Sequence, residues 1–128
     1  MSLRSPLGKV LGRGSAKEGA SHWWAQRVSA SALVLLTAWF VVSVLRLPDF
    51  GYAAVFAWVQ VPLSAVLLSV LIVTLVYHSQ LGVQVVIEDY VVRKGLKIFT
   101  MLIVNFMHVL VGALGVFSVL RVAFGGAA

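Results

Sequence analysis

Charged residues divide this chain more clearly than any hydrophobic periodicity. Val28 to Leu45 is an 18-residue stretch without Asp, Glu, Lys or Arg, Phe50 to Ile87 adds 38 more, and Ile98 to Leu120 another 23. A bilayer core takes roughly 20 apolar residues per helix, so the pattern predicts three membrane spans. The middle stretch is too long for one of them, since a helix rises 1.5 Å per residue. Pro62 divides it, because proline suits the first turn of a helix and not its interior. The predicted helices run over about 24–47, 62–89 and 97–122. Pro48-Asp49 and Gly51 end the first, and a short basic turn around Gly95 joins the last two. The stretch 50–60, with Tyr52, Phe56 and Trp58, is expected along the outer membrane interface. Residues 1–20, rich in Gly, Ser and basic side chains, are expected as an irregular arm ahead of a membrane unit at 21–128.

Composition agrees with this division. A hydrophobic fraction of 61%, a charged fraction of 11% and a mean hydropathy of +1.02 leave too little polar surface for a soluble globule. The expected class is therefore an all-α integral membrane protein. The net charge of +6 changes the picture only through its placement. Arg4, Lys9, Arg13, Lys17 and Arg27 precede the first span, and Arg93, Lys94 and Lys97 separate the second from the third. Arg46 and Arg121 alone fall on the other side. Basic residues collect on the cytoplasmic side of membranes, so the N-terminus is expected in the cytoplasm and the C-terminus in the periplasm. The positive charge then reads as topology and attraction to lipid headgroups, with no nucleic-acid partner. The absence of cysteine excludes disulfides and thiolate chemistry. The basic, serine-bearing start is expected to be retained and not cleaved as a transit peptide, which makes a bacterial cytoplasmic membrane the simplest location.

Polar groups inside a membrane are costly and call for a reason. Helix two carries His78 and Gln84, helix three carries Asn105 and His108, and Arg27 stands at the mouth of helix one. His78 precedes Asp89 by 11 residues, three turns and about 20° on a helix, or about 16 Å along it. Both therefore share one face, with Gly82 one turn after His78 and Val85 and Val86 close by. Such a strip suits a flat macrocycle, because imidazole ligates haem iron and glycine admits a large ring. It equally suits a core histidine bonded to a neighbouring helix, and these facts alone leave both readings open.

The stretch His78-Ser79-Gln80-Leu81-Gly82-Val83-Gln84-Val85-Val86-Ile87-Glu88-Asp89-Tyr90-Val91 closely resembles a family signature. The family is the smaller membrane-anchor subunit of succinate dehydrogenase, respiratory complex II. Its signature is a histidine, a glycine four residues later, and Asp-Tyr eleven and twelve after the histidine. Arg27-Val28-Ser29-Ala30 resembles the arginine-headed start of that family's first helix, and the likeness extends over about residues 21–122. The resemblance implies that His78 is an axial ligand of haem b, the other coming from a second membrane-anchor (cytochrome b) subunit in a shared helix bundle. It implies a quinone site in which Tyr90 hydrogen-bonds a quinone carbonyl and Asp89 orients that network or assists proton delivery. Arg27 would neutralise a haem propionate or shape the quinone pocket. Iron–sulfur and flavoprotein subunits complete the implied complex, which passes electrons from succinate to membrane quinone.

Simpler roles compete at several positions. Asp89 could pair with Arg93 four residues on, and Tyr90 could belong to an aromatic belt. His108 should sit at a depth similar to His78, so one chain could supply both haem ligands. The family pattern instead makes His108 structural, bonded near Asn105. His22, beside Trp23 and Trp24, could contact a propionate or a partner subunit, and Gln84 is expected as a helix–helix hydrogen bond. Gly112 and Gly115 are three apart and miss the four-residue spacing of close-packed helix pairs. The chain has no nucleotide loop, flavin-binding pattern or cysteine cluster, so it is expected to have no catalytic residues for succinate oxidation. Rival readings are the haem-bearing subunit of another quinone-linked dehydrogenase, of fumarate reductase or formate type, and a small non-redox structural or transport protein.

Overall fold

The computed structural model describes residues 16–125, with side chains from Ala20 onward, and all of its regular structure is helical. Helix α1 spans Ala16–Leu45, α2 Tyr52–Gln60, α3 Pro62–Tyr90 and α4 Lys94–Ala123. The three long helices have 30, 29 and 30 residues, about 45 Å each, and are apolar enough to cross a bilayer.

Several boundaries differ from expectation. The described part of helix α1 begins at Ala16, so 16–20 are helical and not irregular, and Trp23 and Trp24 lie within the helix. The residues Ala16, Lys17, Glu18 and Ala20 are good helix formers, and leaving the apolar zone does not oblige a helix to stop. The expectation for residues 1–15 falls outside the described residues. Helix α4 starts at Lys94, three residues early, and Gly95 sits in its first turn instead of in the connection. The first helical hydrogen bond there runs from the Lys97 amide to the Arg93 carbonyl at 2.9 Å. A glycine in a first turn interrupts no ladder, because those N–H groups have no intrahelical partner.

The connection between α1 and α3 was expected only as an interfacial stretch, and most of it is helical. Helix α1 tightens at its end, where Arg46 and Leu47 bond back three residues to Ser43 and Val44. Asp49 Oδ1 then accepts the Gly51 amide at 2.7 Å, forming a local turn that starts α2. Helix α2 rests on α1 through Trp58, whose ring stacks on Trp39 at 6.2 Å and tilts against Phe40 at 6.1 Å. Val61, at φ −64° and ψ 122°, ends α2 and caps α3. The following Pro62 excludes the helical region at Val61, so the break falls where the sequence predicts it.

Helix α3 is the centre of the arrangement. It packs against both α1 and α4, whose backbones do not approach one another closely among the described residues. Gly112 and Gly115 of α4 lie against Val76 and Ile72 of α3, where added Cβ atoms would stand 3.5 and 3.0 Å from the nearest side-chain carbons. The three-residue spacing judged unsuited to close packing therefore serves it, since positions i and i+3 share a helix face. The buried side chains among the described residues are Ser29, Ser64, Ala65, Leu68, Leu81 and Ile87. Helix α4 has no buried residue. Exposure of so many large apolar side chains suits lipid and a neighbouring protein rather than water.

Candidate functional site

A cavity of about 810 Å³ lies between the first half of α1 and the last half of α3. Its wall on α1 is His22, Trp23, Gln26, Arg27 and Ala30, and on α3 His78, Gly82, Gln84, Val85 and Glu88. The antiparallel course of the two helices makes this meeting possible, because residues entering the membrane on α1 face residues leaving it on α3. Three of the sequence-predicted site residues, Arg27 from α1 and His78 and Gly82 from α3, thus line one cavity. Asp89 and Tyr90 do not line it. They occupy the last two positions of α3, exposed, with Tyr90 at 81% and neither bonded to any described residue. The Asp89–Arg93 pair is not formed, since α3 ends at Tyr90 and the helical spacing it needs is lost.

The His78 ring is fixed from α1. Its Nδ1 lies 2.9 Å from Ser29 Oγ, and that hydroxyl also donates to the Gln26 carbonyl at 3.1 Å. Nε2 has no partner among the described residues, and His78 forms part of the cavity wall. Gly82 faces Gln26, whose Nε2 would be 3.7 Å from an added Cβ, so the missing side chain keeps the wall open beside the imidazole. Sequence reasoning passed over Ser29 and Gln26. A serine in an apolar helix gives no distinctive signal, because it ordinarily satisfies itself on its own backbone.

Two polar atoms in this region are shielded and unpaired, His22 Nε2 and Gln26 Oε1. Leaving a buried polar group unsatisfied costs about 1–3 kcal/mol, so both ask for a partner that the described residues do not supply. Arg27 is exposed, with its guanidinium carbon 5.4 Å from the Trp23 ring centre in a cation–π contact. Gln84 donates to Glu88 Oε1 at 2.8 Å, a bond within α3 and not the interhelical one expected of it. The carboxylate on the cavity wall is therefore Glu88.

His108 is engaged on the other side of α3. Its Nδ1 donates to the Val104 carbonyl at 2.8 Å, which leaves Nε2 to accept from Ser79 Oγ at 3.3 Å. Its partner is not Asn105, whose Oδ1 accepts from Gln80 Nε2 at 3.1 Å. His108 lies level with Ser79, next to His78 in the chain, but is not in the His78 cavity. Among the described residues no group of three or more His, Asp or Glu side chains could hold a metal ion. Any metal chemistry in the cavity would thus rest on an ion held mainly by other ligands.

Comparison with known proteins adds a family to this geometry. The model of the succinate dehydrogenase/fumarate reductase transmembrane subunit family matches residues 1–114. A succinate dehydrogenase hydrophobic membrane anchor subunit from Rickettsia bellii is 34% identical over 95 residues, 74% of this chain and 76% of its own. The subunit of that name from Rickettsia conorii is 32% identical over 104 residues, 80% of this chain and 82% of its own. The one from Paracoccus denitrificans is 31% identical over 105 residues, 80% and 81% of the two chains. No solved structure gives a significant match.

Proposed function

The chain belongs to the succinate dehydrogenase/fumarate reductase transmembrane subunit family and is a multi-pass membrane protein, and from that premise we propose that it anchors a succinate:quinone oxidoreductase to the bacterial cytoplasmic membrane, holding haem b through His78 and forming part of a quinone site. The curated relatives carry the succinate dehydrogenase name, which favours that complex over a fumarate reductase. The observation that carries the proposal is the His78 ring, which lines the cavity and is held at Nδ1 by Ser29 while Nε2 has no partner among the described residues.

The residues present fit a haem. The cavity volume lies within the roughly 300–1,000 Å³ usual for ligand sites. It offers one imidazole nitrogen with a free lone pair, a glycine gap beside it, and the cation Arg27 with the unpaired His22 Nε2 for the anionic edge of a ligand. When bound, haem b supplies a one-electron relay next to the quinone. His78 holds and orients, Gly82 leaves room, and Arg27 balances negative charge against the Trp23 face. Of the residues lining the cavity His78 would hold the iron, and a further ligand would come from another subunit.

That subunit is a second membrane anchor. The backbones of α1 and α4 do not approach closely among the described residues, and no residue of α4 is buried, which leaves apolar surface for such a partner to cover. Asp89 and Tyr90 project from the cytoplasmic end of α3, free to meet quinone and the iron–sulfur subunit. There the Tyr90 phenol donates a hydrogen bond to a quinone carbonyl, and Asp89 orients that bond or passes on a proton. The flavoprotein carries out succinate oxidation, and this chain contributes no group to that step.

The test is a reduced-minus-oxidised visible spectrum of the complex purified through this chain, wild type beside His78→Ala. The expected result is a b-type signal in the wild type that is lost in the variant, with the soluble subunits still bound. A signal that survives His78→Ala removes the ligand assignment. Absence of the soluble subunits removes the anchor assignment.

A further inference from the structure

Ser29 is one of two buried polar residues among the described part of the chain, at 5% exposure. Its hydroxyl has one proton and two contacts, the Gln26 carbonyl at 3.1 Å and His78 Nδ1 at 2.9 Å. A carbonyl can only accept, whereas an imidazole nitrogen can donate or accept according to tautomer. Both contacts become hydrogen bonds only when the serine proton goes to Gln26 and His78 Nδ1–H donates to Ser29 Oγ. The reverse assignment gives the serine proton to the ring and leaves the Gln26 contact without a hydrogen. The lone pair of the neutral His78 ring is then on Nε2, the nitrogen without a partner among the described residues, on a residue that lines the cavity.

From this we infer that Ser29 is a positioning residue for the iron ligand: it selects the His78 tautomer whose Nε2 is free, holds the ring plane, and tunes the haem potential through the Nδ1–H bond. The inference rests on the haem reading above. A ligating imidazole that donates its other N–H becomes a stronger electron donor to the metal, which stabilises the ferric over the ferrous state and lowers the potential. The backbone anchor is part of the device. Because the serine is also bonded within its own helix, it presents its oxygen lone pair to the ring from one direction. Threonine can reproduce this bond from the same position, and alanine cannot.

The experiment compares Ser29→Ala, Ser29→Thr and His78→Ala with wild type in the purified complex, reading haem content, midpoint potential and the low-spin ferric EPR signal. The expected result is a b-type haem with a more positive midpoint and a changed EPR signal in Ser29→Ala, both returned to wild-type values in Ser29→Thr. A Ser29→Ala complex with wild-type potential and EPR overturns the inference and leaves the haem reading intact. If Ser29→Ala reduces the assembled complex, the same change is made in the His78→Ala background. No additional loss there supports action through the imidazole, and a full additional loss shows a general packing role and overturns the inference. A wild-type complex with no b-type spectrum overturns the haem reading and this inference with it.

Discussion

The Ser29 hydroxyl and the His78 imidazole, 49 residues apart in the chain, meet at 2.9 Å across the α1–α3 contact. This bond fixes the ring of a histidine on an apolar helix, the residue proposed above to hold haem, and the other polar residues near it take different partners.

His108 is the first of these. Both its ring nitrogens are bonded, to Val104 and Ser79, and it lies outside the His78 cavity. Changing His108 to Ala should therefore leave the b-type spectrum of the complex intact and cost about 0.6 kcal/mol of helix association, the average for a hydrogen bond within a membrane. Spectra and thermal stability of the variant complex check this. Loss of the chromophore would return His108 to the list of ligands.

Asp89 and Tyr90 stand exposed at the end of α3 with no side-chain hydrogen bond to any described residue, so changing them should cost little of the described packing. Tyr90→Phe should raise the KM for quinone about tenfold, the equivalent of about 1.4 kcal/mol. Succinate oxidation with a soluble artificial acceptor should be unchanged. Asp89→Asn should lower kcat for quinone more than it raises KM, if the carboxylate handles protons. Steady-state assays with both acceptors separate the two effects.

Gly115 and Gly95 should respond oppositely to substitution. A Cβ at Gly115 would stand 3.0 Å from Ile72 Cγ2, and a larger side chain must push α4 off α3. Gly115→Leu should reduce the amount of assembled complex several-fold. Gly95→Ala meets nothing within 4 Å and removes a poor helix former, so it should be neutral or stabilising by up to about 1 kcal/mol. Quantitative blots of membranes after a heat challenge measure both.

Topology can be read directly because the chain has no cysteine of its own. Val92, 89% exposed between α3 and α4, and Phe124, 86% exposed after α4, are suitable sites for single cysteines. A membrane-impermeant thiol reagent on intact cells should label Phe124→Cys and spare Val92→Cys until the cells are opened. The opposite pattern would invert the orientation drawn from the basic residues.

Much of the architecture is legible along the chain, because the cost of a charge or an open backbone group in lipid is large and local. Three long uncharged stretches with Pro62 in the middle one leave three helices as the way to satisfy the backbone, and the break at Val61-Pro62 falls where expected. Helix ends are less legible. Residues 16–20 are already helical and Lys94 begins its helix earlier than composition suggests, since helices continue past the apolar zone wherever local propensity allows.

The sequence by itself determined the spans, their order, and the strip on α3 that carries His78 and Gly82. Periodicity states the angle of a residue about its own helix, and that angle survives folding. It does not state which neighbour fills that direction or where the neighbour ends. Only the tertiary structure turned His78 toward Ser29 and set His108 against Ser79. It also put Glu88 in the cavity wall, while Asp89 stands exposed beyond it at the end of α3. Those choices follow from how α1 and α4 pack on two different sides of α3, a matter of side-chain fit between segments far apart in the chain.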